Sequence, residues 1–264
     1  MNIPSVLSLP LLSLVVVCLL MLLVWIWATA IRNASIVDVA WSLCFTVIAV
    51  LIWWKATGDG FRKTLVCTLM ILWSLRLTLH LAARVFTHIH EEEGRYQQLR
   101  KDWAPHINRA FFFFFQAQAL STIILSVPFF IITQNDNALM TVAEYTGASL
   151  WLLAIIGEGI ADAQLARFKK DTANKGKVCT AGLWKYSRHP NYFFQLMIWI
   201  AVFIFALSSR YGWLAIISPL IIGYLIFKVT GIPKTEEQSL RSKGEAYREY
   251  QRTTSAFIPW FKKH

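Results

Sequence analysis

Seven apolar runs, at about residues 4–30, 35–54, 64–88, 110–133, 146–168, 190–209 and 211–230, each approach the roughly 20 residues that a helix needs to cross hydrocarbon. Inside lipid every backbone N–H and C=O must find a partner within the chain, so runs of this length commit it to spanning helices. The expected fold is all-α: a polytopic membrane protein of seven transmembrane helices, taken as one domain over residues 1–264. The first run resembles a signal peptide only in being apolar. It lacks a basic leading region and a small-residue cleavage site, and it exceeds the roughly 7–15 residues of a signal core. No repeat of about 20–50 residues is visible and the halves do not mirror each other, which gives the inverted-repeat transporter pattern little support.

The net charge of +11 invites a nucleic-acid reading, but its distribution points to a membrane instead. Lys and Arg concentrate in alternate loops: Arg32; then Arg95, Arg100, Lys101 and Arg109; then seven from Arg167 to Arg188; then eight from Lys228 to Lys263. The opposite loops hold only Lys55, Arg62, Lys63 and Arg210. The positive-inside rule therefore puts the N-terminus outside and the C-terminus in the cytoplasm. Cys18, Cys44, Cys67 and Cys179 form no CxxC pair and three fall inside spans, so neither a disulfide framework nor a thiolate metal site is expected.

Ionisable side chains inside a span cost about 2.5–3.5 kcal/mol each, so they should face protein or a wet cavity. Arg76, His80 and Arg84 recur every fourth residue on one face of the third helix. Glu158 and Asp162 do the same in the fifth and Asn191 and Gln195 in the sixth, while Asp38 and Trp41 sit near the start of the second. These stripes either neutralise one another as packing contacts or line a site filled from the cytoplasm. Their number favours the site. The inner segments 89–109, 169–189 and 231–264 carry turn residues such as Gly94, Pro105, Gly182 and Gly244 between short polar helices, and are expected to roof a cavity.

Lys169, Lys170, Arg188 and Arg95 at helix ends suit the phosphates of a large cofactor, whereas Lys175 and Lys177 suit anionic lipid headgroups better. No GxGxxG, GxxxxGK[ST] or HExxH is present, so such a site must be built from membrane helices and loops. The Phe111–Phe115 run is read as lipid or helix contact.

The segment "GLWKYSRHPNY", followed about forty residues later by "EEQSLRSKGEAYREYQRTTSAFIPW", resembles the C-terminal core shared by isoprenylcysteine carboxyl methyltransferases, sterol reductases and steroid 5α-reductases. "RNASIVDVAWS", "WSLRLTLHLAARVF", "RYQQLRKDW" and "GEGIADAQLARFKK" are similar to the bacterial branch of the steroid 5α-reductase family. The resemblance implies a seven-helix enzyme in a bacterial inner membrane that reduces the Δ4 double bond of a 3-oxo-steroid, or a similar lipophilic enone, with NADPH. The cofactor-binding core would span about residues 146–264.

By the same resemblance, cofactor contacts fall on Asn191, Asp162, Lys169 and Arg95, with Tyr96, Glu158, Arg188, His189, Tyr192, Gln195 and Glu236 around them. Arg95, Lys169 and Arg188 are the candidates for the 2′-phosphate. Gln195 stands where eukaryotic relatives carry Glu, and Glu158 where they carry Asn. The family's catalytic Tyr aligns on Leu81, beside His80, and Asp38 is the nearest match to its catalytic Glu. Asp38 and His80 are therefore expected to border the substrate carbonyl, with Tyr96 or Tyr192 next in line as proton donor. The alternative for His80 is a structural link between Arg76 and Arg84. The competing activity is methyl transfer from S-adenosylmethionine to a lipid or prenylated thiol, and a non-enzymatic lipid-binding protein is the third reading. Beyond substrate and membrane lipids no partner is implied, neither protein nor nucleic acid.

Overall fold

The computed structural model of the chain describes residues 3–262, and all regular structure among them is helical. Lys263, one of the cations expected on the inner side, lies outside the described residues. The principal helices are α1 (Ile3–Ile31), α2 (Ile36–Lys55), α3 (Gly60–Thr87), α4 (Gly94–Asp102), α5 (Ile107–Leu125) and α6 (Val127–Ile132). They continue with α7 (Val142–Lys170), α8 (Pro190–Ala206), α9 (Ile217–Tyr224), α10 (Ile232–Lys243) and α11 (Glu245–Thr253).

Six stretches are long and apolar enough to cross a membrane: Ser8–Ile31, Ile36–Lys55, Gly60–Thr87, Ile107–Ile132, Val142–Lys170 and Gly212–Lys243. The protein is thus an all-α polytopic membrane protein. The remaining expected span, α8, is a shorter apolar helix of 17 residues. Two of the six are irregular. Pro128 has no N–H to offer the preceding turn, and the chain breaks between α5 and α6 at Ser126. The last opens with a 3₁₀ turn at Gly212–Ile216 and contains a π turn at Leu225–Val229.

The chain forms two compact units, one of Met1–Met140 with Ser209–Gly212, the other of Thr141–Ser208 with Trp213–His264. In the first, α2 lies against α3 and α1 against α5 and α2. Small hydroxyl residues let α2 and α3 approach. Thr46 and Ser74 share a hydrogen bond of 2.7 Å, Ser42 and Thr78 one of 2.9 Å, and the Ser74 hydroxyl also donates to the Ser42 carbonyl. The Phe run behaves as helix contact on one side and as lipid-facing surface on the other. Phe111 and Phe115 are buried, Phe113 is exposed, and Phe112 meets Trp25 of α1 edge-on at 5.4 Å.

The loop ahead of Thr141 hangs on one side chain of α3. Arg62 is 1% exposed and donates to the carbonyls of Asn137 at 2.5 Å, Leu139 at 3.0 Å and Asn135 at 3.3 Å. Asp59 caps the same helix by accepting from the Arg62 N–H at 2.8 Å, so cap and clamp are built together.

In the second unit α7 starts on a capping box, in which Thr141 accepts from the Glu144 N–H and Glu144 from the Thr141 N–H. Contact between α7 and α8 depends on two glycines. A Cβ at Gly147 would sit 2.7 Å from the Ala201 carbonyl oxygen and 2.8 Å from Phe205, and one at Gly157 would strike the Phe194 ring. The ring can turn away, but the Ala201 backbone cannot. Gly147→Val is therefore expected to cost about 1–3 kcal/mol or more by overpacking, and Gly157→Ala less. Thermal unfolding in detergent checks this ranking, and equal midpoints for Gly147→Val and the parent would contradict it.

Candidate functional site

In the first unit the turn before α2 and the segment before α4 hold each other. Asn33 donates to the Ile89 carbonyl at 2.8 Å, the Ala34 N–H to Glu92 at 2.8 Å, and the Glu93 N–H to Ser35 at 2.9 Å. Arg100 locks Glu92 from the other side with two hydrogen bonds of 2.9 and 2.8 Å, a bidentate pair. This double tie brings α4 to the start of α2, where Asp38 lies.

Asp38 is the centre of the resulting cluster. Its Oδ1 accepts from the Tyr96 phenol at 2.8 Å, and its Oδ2 takes the Arg95 guanidinium, with Arg84 at 3.5 Å. Glu93 balances the second cation through Arg84 Nε at 2.8 Å. Tyr96 is 1% exposed, wedged edge-on against Phe114 at 6.2 Å with the Arg95 guanidinium 4.5 Å over its ring. Burial pushes its phenol above the ordinary tyrosine value, so the O–H keeps its proton at neutral pH.

The residue on Asp38 is thus Tyr96, not His80. His80 is exposed on α3, and among the described residues it makes no hydrogen bond, to Asp38 or to the arginines on either side. The pairing of Asp38 with Tyr96 bridges 58 positions and was beyond the sequence reading, which ranked Tyr96 only as a substitute donor. The available signal lay in "HEEEGRYQQLR", where carboxylates ahead of a short polar helix could dock on "RNAS".

In the second unit the acid and amide expected at the cofactor bond to each other. Asn191 Nδ2 donates to Asp162 Oδ1 at 3.2 Å, joining α8 to α7, and Asn191 Oδ1 accepts from the Tyr192 N–H at 3.0 Å. Both side chains are half-buried. Glu158 is buried one turn earlier on α7. Gln195 follows on α8, half-buried and without a hydrogen bond among the described residues, and Lys169 is exposed at the end of α7.

Arg188, His189 and Glu236 form one polar cluster. Glu236 accepts from Arg188 Nε at 2.7 Å, lies 3.1 Å from His189 Nε2, and takes Gln251 Nε2 on its other oxygen at 2.7 Å. Arg188 Nη1 also donates to the carbonyls of Gln251 at 2.8 Å and Thr254 at 2.9 Å. Arg188 is therefore a largely buried tether between the turn before α8 and the chain around α11, with its charge already met by Glu236, and it is not a free cation awaiting a phosphate. The His189 ring stacks on Tyr192 at 5.4 Å and 8°, and the Tyr192 hydroxyl lies 3.1 Å from that of Thr235. Tyr250 completes the tether by donating to the carbonyls of Trp184 at 2.5 Å and Ser187 at 3.2 Å. Burial pushes Tyr250 up and Tyr247 up to about 12, so both phenols remain protonated.

The fold and these clusters define a helical integral membrane protein with polar, partly ionisable groups set among apolar helices. The chain belongs to the DUF1295 family, described as proteins of unknown function, whose model matches residues 24–254. It is similar to an uncharacterized protein of Schizosaccharomyces pombe, with 24% identity over 268 residues, covering 89% of this chain and 75% of that protein. No solved structure matches the chain.

Proposed function

We propose that the protein is an NADPH-dependent reductase of the C=C bond of a lipophilic enone, such as a 3-oxo-Δ4-steroid, acting in a bacterial inner membrane with its C-terminus in the cytoplasm. The observation offered for this reading is the proximity of Asp162 and Asn191; were they to bond only to each other, as a structural pair, they would drop out of the site. The resemblance assigned these two to the cofactor from sequence segments about thirty residues apart, and they face each other across α7 and α8. Polar groups here fit a nucleotide: Asn191, Asp162 and Gln195 offer donors and acceptors within apolar helices, and Lys169 stands ready for a phosphate as Arg188 does not.

When bound, NADPH would supply a hydride to the β-carbon of the enone. The electron pair of the double bond would then move to the carbonyl oxygen, where the charge of the enolate needs an O–H or N–H donor, and a proton from solvent would be added at the α-carbon to give the saturated ketone. The first unit's candidate for that donor is Tyr96, whose buried phenol keeps its proton; to serve an oxyanion its O–H must turn from Asp38 Oδ1, to which it donates at 2.8 Å. Asp38, held by Arg84 and Arg95, positions the phenol, and the two guanidiniums balance its carboxylate. Arg95 thus acts through Asp38.

Two measurements test the cofactor half. Protein purified in detergent and denatured is expected to release NADP(H); release of S-adenosylmethionine or its demethylated product would replace this reading with methyl transfer. Asn191→Ala is expected to weaken NADPH binding by about 0.5–3 kcal/mol while leaving the unfolding midpoint close to that of the parent. An unchanged affinity would remove Asn191 from the site.

A further inference from the structure

We propose that the segment following α11 is an interfacial anchor, which seats Ile258, Trp260 and Phe261 in the headgroup layer of a bilayer and sets Lys185 and Lys262 on the phosphates of anionic lipid. The position of the segment is fixed by Phe257, whose ring meets Phe193 in the first turns of α8 at 5.6 Å and Phe227 at 4.7 Å. Phe227 is the last apolar ring before Lys228, so both neighbours mark the level at which apolar helices of this unit end. The segment is held there by its backbone. The Arg188 N–H donates to the Ser255 carbonyl and the Trp260 N–H to the Tyr186 carbonyl, both at 2.9 Å, and the Ser187 hydroxyl donates to the Phe257 carbonyl at 2.8 Å.

On this fixed strip Ile258 is 60%, Trp260 66% and Phe261 74% exposed. Such exposure is costly in water and natural at a membrane interface, where tryptophan and flanking lysine concentrate. A cleft of about 500 Å³ lies between these side chains and the end of α11, room enough for part of a headgroup.

The charge pattern selects the lipid. On α10 and α11 most cations are matched by carboxylates within the chain, Lys234 and Arg241 with Glu237, Arg248 with Glu245, and Arg252 with Glu245 and Glu249, while Lys243 lies over the Tyr247 ring. Lys185 and Lys262, beside the apolar strip, are exposed and have no carboxylate partner among the described residues. Cations left over at the headgroup level attract anionic phosphates.

The test places a spin label at Ile258→Cys, Phe261→Cys and, as the aqueous reference, Arg248→Cys, in the full chain reconstituted into vesicles of phosphatidylcholine with a minority of phosphatidylglycerol. The parent treated alike reports any labelling of native cysteines. The preference for collision with oxygen over a water-soluble nickel chelate is expected to be several-fold higher at 258 and 261 than at 248. It should fall in pure phosphatidylcholine and in Lys185→Gln/Lys262→Gln. Chelate access at 258 and 261 equal to that at 248 would overturn the anchor. Protection from both quenchers, with crosslinking of 261 between two chains, would overturn it in favour of a second copy. Equal depth with and without phosphatidylglycerol would overturn the anionic contact.

Discussion

Tyr96→Phe is expected to lower turnover of a lipophilic enone about 10²–10³-fold, the usual cost of losing one donor to a developing oxyanion, with NADPH affinity unchanged. The substitution also removes the hydrogen bond to Asp38, worth about 1.5–3 kcal/mol, so the unfolding midpoint is measured beside turnover. The ring keeps its edge contact with Phe114 and its place under Arg95, and Asp38 retains both guanidiniums. What is lost is the O–H and its bond to Asp38. His80→Ala, which removes an exposed side chain, is expected to leave turnover near that of the parent. Steady-state kinetics of the two variants, at saturating cofactor, separate the candidates. Because burial raises the Tyr96 phenol above the ordinary value of about 10, its donor form persists to higher pH than that of a free tyrosine, and the alkaline fall in rate should lie beyond that range. Near-parental turnover in Tyr96→Phe with loss in His80→Ala would return the role to His80.

Arg62→Ala is expected to destabilise the first unit by about 1–3 kcal/mol, because the hydrogen bonds of a buried guanidinium to the loop are lost, although the Asn135 carbonyl keeps the Asp59 N–H and Asn137 and Leu139 are exposed. Three carbonyls of the loop at residues 135–139 lose their common donor at once. Arg62→Lys should recover only part of the loss, since one ammonium cannot reproduce the spread of a guanidinium fork. Unfolding midpoints in detergent measure both. A midpoint for Arg62→Ala within experimental error of the parent would show that the clamp carries no net stability.

What was legible in the sequence follows from the range of the forces involved. Spanning helices are written locally, in the length of their apolar runs, and the Thr141–Glu144 capping box is equally local. The meeting of Asp162 with Asn191 was accessible because both sit in recognisable segments on helices packed together through Gly147 and Gly157. Asp38 and Tyr96 were not accessible as a pair. Their contact depends on docking of α4 through Glu92, Glu93 and Arg100, which no periodicity in the chain encodes. The ion pair of Arg188 was hidden for a related reason. A basic residue at the mouth of an apolar helix looks available for phosphate until Glu236, 48 residues later, is seen to neutralise it. Arg62 counted in the sequence only as one outer-face charge, yet the carbonyls it gathers lie more than seventy residues away.

The central claim, hydride transfer from a reduced nicotinamide to a lipophilic enone, is tested most directly by isotope. Purified protein in lipid vesicles is given a 4-ene-3-one steroid and NADPH carrying deuterium at the transferable position, and the product is analysed by mass spectrometry and NMR. The expected product is a saturated ketone with one deuterium on the former β-carbon, formed by the parent and strongly diminished in Tyr96→Phe. Unchanged enone across a panel of lipophilic enones, from protein that is folded and loaded with NADPH, would contradict it.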